Sequence, residues 1–116
     1  MALTRDFKLT VKARAERDPE FRVALLQEAV EALLHGDTDT GKTLLRDYVN
    51  ATVGFVQLAE SLGETTPKSL MRMLGPSGNP RMENLFAVIS QLQKREGISL
   101  DVVSKPSHAT RKLESR

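Results

Sequence analysis

Helix-breaking residues punctuate this chain at short intervals, and nearly every stretch between them carries apolar residues three and four apart. That spacing is the signature of amphipathic helices, and the breakers keep each one short. Leu3, Phe7 and Val11 sit four apart behind Thr4, an N-cap residue type, and predict a first helix ending near Arg17. Asp18-Pro19 is a restart signal, with Asp at the N-cap and Pro at the first helical position. Phe21, Leu25, Ala29 and Ala32 line one stripe of the second helix, and Leu26, Val30, Leu33 and Leu34 line its neighbour. So wide an apolar face predicts packing on more than one side. Gly36 stops that helix, and Asp37 or Asp39 caps a third, which turns Leu44, Leu45, Tyr48 and Val49 inward.

After a break at residues 50–54, Phe55, Leu58, Ala59 and Leu62 recur at i, i+3, i+4 and i+7 up to Gly63. Thr66-Pro67 opens another short helix holding Leu70, Met73 and Leu74, closed by Gly75-Pro76-Ser77-Gly78. Asn79-Pro80 opens a last long helix with Met82, Leu85, Phe86, Ile89 and Leu92 inside, ended by Gly97. Residues 98–103 then read either as one short strand or as a segment folded back onto the helical core. A lone strand must pair, since it cannot satisfy its own backbone groups, and a second copy is then the natural partner. From Ser104 the chain is polar and basic, and residues 104–116 are expected to be a disordered tail. The expected fold is thus all-α, a five- to six-helix domain with at most one C-terminal strand. Residues 1–50 form an N-terminal helical extension packed on a core region at 51–103.

The 116 residues, 40% of them hydrophobic, suffice for a core without staples. Cysteine is absent, which excludes a disulfide framework, a thiolate zinc site and a cysteine nucleophile together. No apolar run nears the roughly 20 residues needed to span a bilayer. Residues 1–12 alternate charge with apolar side chains and lack a signal-peptide core. No membrane partner and a cytoplasmic location are the expectation.

The overall charge of +2 hides an asymmetry. Residues 1–63 hold 8 Lys and Arg against 10 Asp and Glu, whereas residues 64–116 hold 9 against 5. A basic second half suits a nucleic-acid face, because phosphate neutralisation supplies most non-specific affinity; an ordinary solvated surface explains so small an excess equally well.

Two short helices joined by a tight turn, Phe55–Leu62 and residues 67–74, form the most informative constellation. A helix-turn-helix needs a small residue where its helices cross, and Ala59 beside Leu58 supplies it. Gly63 supplies the positive φ of the turn. Leu70 and Met73 make an inner face, leaving Lys68, Ser69 and Arg72 on a short basic, hydrogen-bonding outer face, as a major-groove reader requires.

Leu58-Ala59, Leu62-Gly63, Leu70, Arg72, Asn79-Pro80 and the helix carrying Leu85, Ile89 and Leu92 resemble the helix-turn-helix of phage Cro/repressor-type regulators. The longer string from Pro67-Lys68-Ser69-Leu70 through Met71-Arg72-Met73-Leu74 to Gly75-Pro76-Ser77-Gly78-Asn79-Pro80 is more specific. With Leu3-Thr4-Arg5-Asp6-Phe7 and Asp18-Pro19 followed by Phe21-Arg22, it resembles the "probable addiction module antidote" family, a branch of type II antitoxins and prophage DNA-binding proteins. The resemblance spans about residues 1–103. It implies a non-enzymatic, sequence-specific regulator of double-stranded DNA, repressing a toxin–antitoxin operon in the bacterial cytoplasm, at the nucleoid, and pairing with a toxin protein. Thr65, Thr66, Lys68, Ser69 and Arg72 would then enter the major groove, while Asn79 and Arg81 would hold phosphate at the start of the last helix. A homodimer is expected, because one short helix reads too few bases. Phe55 stands where such proteins commonly carry a phosphate-contacting Gln, and the turn before Leu70 is one residue longer than usual. Those departures favour an alternative, a toxin-neutralising protein-interaction module whose acidic first 50 residues are the partner surface.

Other signals point elsewhere. Gly36-Asp37-Thr38-Asp39-Thr40-Gly41-Lys42-Thr43 matches the phosphate-loop pattern in full. The string needs a buried strand before it, and here a helix precedes it; Asp37 and Asp39 would also repel phosphate. It reads as a helix-to-helix turn, and no nucleotide or other cofactor is expected. His35 and His108 lack partners for a metal site or triad, and His35 suits a helix C-terminus. The single Tyr and four Phe all fall at apolar helical positions, which argues against exposed stacking platforms for RNA or single strands.

Overall fold

The computed structural model describes residues 5–107, which form six α-helices and, among the described residues, no strand. They are α1 (Arg5–Arg17), α2 (Pro19–Leu34), α3 (Thr38–Ala51), α4 (Phe55–Leu62), α5 (Pro67–Met73) and α6 (Met82–Glu96). The all-α expectation holds, and the breakers fall where the chain turns. Thr4, expected as the cap of α1, lies outside the described residues, as do His108 and the rest of the expected tail; residues 104–107 carry no regular structure.

Capping explains the boundaries. The Asp18 carboxylate accepts from the Phe21 amide at 3.2 Å with Pro19 following, and Asp37 accepts from the Thr40 amide at 3.2 Å. Each bond satisfies one of the amides a helix start leaves open, worth about 1 kcal/mol. The phosphate-loop string is accordingly the turn between α2 and the first turns of α3. Its Gly41 is buried against Leu33 of α2, with no space for a side chain.

The core draws on both halves of the chain. Leu26 and Ala29 of α2 and Leu45, Tyr48 and Val49 of α3 join Phe55, Leu58 and Ala59 of α4, Leu70 and Leu74 around α5, and Val88, Ile89 and Leu92 of α6. The expected stripes on α1 and α6 need correction. Met82 is 75% exposed and Phe86 54%, because the side of α6 that meets the core runs through Leu85, Val88, Ile89 and Leu92, which leaves Phe86 beside that stripe and Met82 before its start. Phe7 on α1 and Leu34 at the end of α2 are also more than half exposed. Exposed rings therefore exist at Phe7 and Phe86, and the argument against stacking platforms loses its premise.

Residues 98–103 are not a strand. The Ile98 amide donates to the Gln93 carbonyl at 3.1 Å and the Leu100 amide to Gln93 Oε1 at 2.8 Å. These donors are thus satisfied locally, and the i, i+2 spacing of Ile98 and Leu100 lays both side chains on the core. Neither of these two amides needs a partner strand. Val102 and Val103 stay outside.

One polar cluster ties the two halves together. Glu96, near the end of α6 and with its side chain 7% exposed, receives both Arg22 Nε, at 3.0 and 3.2 Å, and the Tyr48 hydroxyl. Arg22 also donates to the Ala15 carbonyl at 2.6 Å, so one guanidinium joins α1, α2 and α6. Burial pushes the Tyr48 hydroxyl far above its ordinary value, and the adjoining Glu96 carboxylate reinforces the shift. Among the described residues no helix is long and apolar enough to cross a membrane.

Candidate nucleic-acid interface

α4 and α5 are two short helices that pack on each other across the turn at residues 63–66. Leu58 and Ala59 are buried, and Leu70 meets them from α5. Gly63 turns the chain at φ +86°, a left-handed conformation that costs a residue with a Cβ about 1 kcal/mol or more. Its amide closes α4 on the Ala59 carbonyl at 3.0 Å. Thr66 then caps α5: its Oγ1 accepts from the Ser69 amide at 3.1 Å and donates to Ser69 Oγ at 3.0 Å. The cap residue and Pro67 at the next position fix where the second helix begins.

Between α5 and the exposed start of α6 runs an open cleft of about 650 Å³. Five of the seven expected contact residues line it: Thr65 and Ser69 from the turn and α5, Arg72 from α5, and Asn79 and Arg81 from the approach to α6. Thr66 and Lys68 are exposed but outside its lining. Thr66 is engaged as a cap, whereas Lys68 projects from the same short helix. Arg81 is the N-cap residue of α6 and makes no side-chain cap. Its ion pair with Glu83 is long, 3.8 Å, and both side chains are about four-fifths exposed. Such a pair holds neither group firmly, so the guanidinium is available to an incoming anion. Glu64 brings one carboxylate into the same cleft beside the two arginines.

Sequence reasoning missed three residues here. Asn84 lines the cleft one helical turn after Arg81, and the i, i+3 spacing on the polar side of α6 was its signal. Lys42 and Arg46 of α3 bind the loop between α5 and α6 from below, at the carbonyls of Gly78 and Leu74. Their partners lie 36 and 28 residues away, a separation that leaves no local trace. Phe55, at the departure from the usual Gln, is 7% exposed and belongs to the core.

No protein-family model matches the chain, and neither the curated proteins nor the solved structures searched contain a match.

Proposed function

We propose that this chain is a non-enzymatic transcription regulator that binds double-stranded DNA in a sequence-specific manner through α5 and the start of α6. The observation that carries the reading is the convergence of Thr65, Ser69, Arg72, Asn79 and Arg81 on one open cleft beside a capped two-helix unit. Arg72 and Ser69, with Lys68 beside them, offer the donors that read base edges. Asn79 and Arg81 offer amide and charge to the phosphate backbone, which positions a reader without specifying sequence. The family resemblance extends this to an antitoxin-like role: a cytoplasmic, nucleoid-associated homodimer that represses its own operon and binds a partner toxin.

The second reading is a protein-interaction module with little or no DNA binding. Burial of Phe55 favours it, because the position of the usual Gln then offers no donor to phosphate. The outer surface of α1–α3 would carry the partner.

Selection from a pool of random-sequence duplexes separates the two. The parent is expected to enrich a defined site, and Arg72→Ala to lose roughly 1–3 kcal/mol on it, the range for a good bidentate base contact. A pool that stays random after selection refutes a sequence-specific reader.

A further inference from the structure

Two cations of α3 are turned away from solvent. Lys42 is buried, 7% exposed, and its ammonium donates to the Gly78 carbonyl at 2.5 Å. The nearest carboxylate, Asp39, is 3.9 Å away and 90% exposed, so the carbonyl is the ammonium's principal partner. One turn further on, Arg46 Nη1 donates to the Leu74 carbonyl at 3.1 Å. The i, i+4 spacing puts both donors on one face of the helix.

The two acceptors bracket one loop. Leu74 is the C-cap of α5, where carbonyls lack helical partners. Gly78 closes the loop, with its amide donating to the Gly75 carbonyl at 3.0 Å. A Cβ at position 78 would overlap the carbonyl oxygens of Met73 and Arg72, so the loop lies folded against the last turn of α5. Asn79 and Arg81 follow directly. Burying a lysine ammonium is costly unless it is hydrogen-bonded, and here the bond made is the one that fixes this loop.

We propose that Lys42 and Arg46 are positioning residues for DNA binding: they clamp residues 74–78 so that Asn79 and Arg81 face the same duplex as Arg72. The role rests on the DNA-binding reading of the cleft. The lysine of the phosphate-loop string thus serves an anion site at second hand, by holding a loop rather than by touching phosphate.

The test uses the full chain with Lys42→Met and, separately, Arg46→Met, the second keeping the proposal testable should the first fail to fold. Amide hydrogen exchange is followed in the free proteins, and affinity is measured over a salt series on the selected duplex and on an unrelated one. Exchange at Gly75 and Gly78 should accelerate on the order of ten-fold, while Leu26 and Ala29 in α2 keep the parent's rates. Affinity should fall by a similar factor on both duplexes. The slope of log affinity against log salt should match the parent's, because the loosened loop is re-ordered on binding so that Arg81 still meets phosphate, and a buried ammonium itself releases no counterion. Unchanged exchange at Gly75 and Gly78 overturns the clamp. A slope reduced by about one unit, as expected for a lost phosphate contact, overturns positioning in favour of direct contact. A parent that binds no duplex overturns the DNA role itself, and the exchange data then report separately whether the loop is clamped.

Discussion

In the first three helices several charged groups are tied into the fold by hydrogen bonds. Lys42 and Arg46 end on backbone carbonyls, Arg22 ends on Glu96 and the Ala15 carbonyl, and Asp18 and Asp37 close helix starts. On α5 and at the start of α6 the pattern reverses. Lys68, Arg72 and Arg81 are exposed, and the nearest thing to a partner is the loose contact of Arg81 with Glu83. Side chains held by carbonyls or a buried carboxylate are not free to swing toward a ligand, whereas hydrated ones exchange water for a ligand at small cost. Under the proposed function, α1–α3 serve as support and α5 with the start of α6 as the recognition surface. α6 belongs to both, since Glu96 locks one end to α1–α3 and the other end stands clear beside the cleft.

The largest expected effect tests whether support and reader are one folding unit. Leu45 of α3 is fully buried in the shared core, and Leu45→Ala should cost roughly 2–5 kcal/mol. Circular dichroism should show one cooperative melt shifted downward, with exchange protection lost together in α2, α3 and α6. A variant in which α4–α6 keep their protection while α1–α3 lose theirs would break the molecule into two independent parts.

The difference between the halves also tracks what sequence could show. Helix boundaries were legible because their causes are local: Asp18-Pro19, Asp37, Gly63, Thr66-Pro67 and Gly97 act within a few residues of themselves. The capped pair α4 and α5 was legible for the same reason, and with it most of the cleft. Burial on α6 was not. Met82 and Phe86 have the periodicity of a buried stripe, but the stripe that meets the core starts at Leu85 and passes beside Phe86. Nor were the inward cations, since Arg22 meets Glu96 across 74 residues and no spacing rule links them. The alternation at residues 98–103 was real, yet Gln93 takes up the Ile98 and Leu100 amides that a strand would have offered to a partner.

A smaller effect probes the joint between the halves. Below the ordinary tyrosine value of 10.0, Tyr48 is neutral in both the folded and unfolded chain, and its contribution is fully present. As pH rises past that value the unfolded chain ionises first, because burial and the Glu96 carboxylate hold the folded hydroxyl above it. Stability should therefore fall with rising pH above 10, and fall less steeply in Tyr48→Phe. With one Tyr and no Trp in the chain, tyrosinate absorbance follows this group alone. An ionisation midpoint at the ordinary value would show that the contact with Glu96 is not held in solution.

The most direct test compares one exposed arginine from each half. On the selected duplex, the slope of log affinity against log salt is measured for the parent, for Arg81→Ala beside the cleft, and for Arg17→Ala at the end of α1. The parent should bind with a strong salt dependence. Arg81→Ala should reduce the slope by about one unit, and Arg17→Ala should leave it unchanged. A slope that drops for Arg17→Ala and holds for Arg81→Ala, or a parent whose binding ignores salt, would contradict the assignment of DNA recognition to α5 and the start of α6.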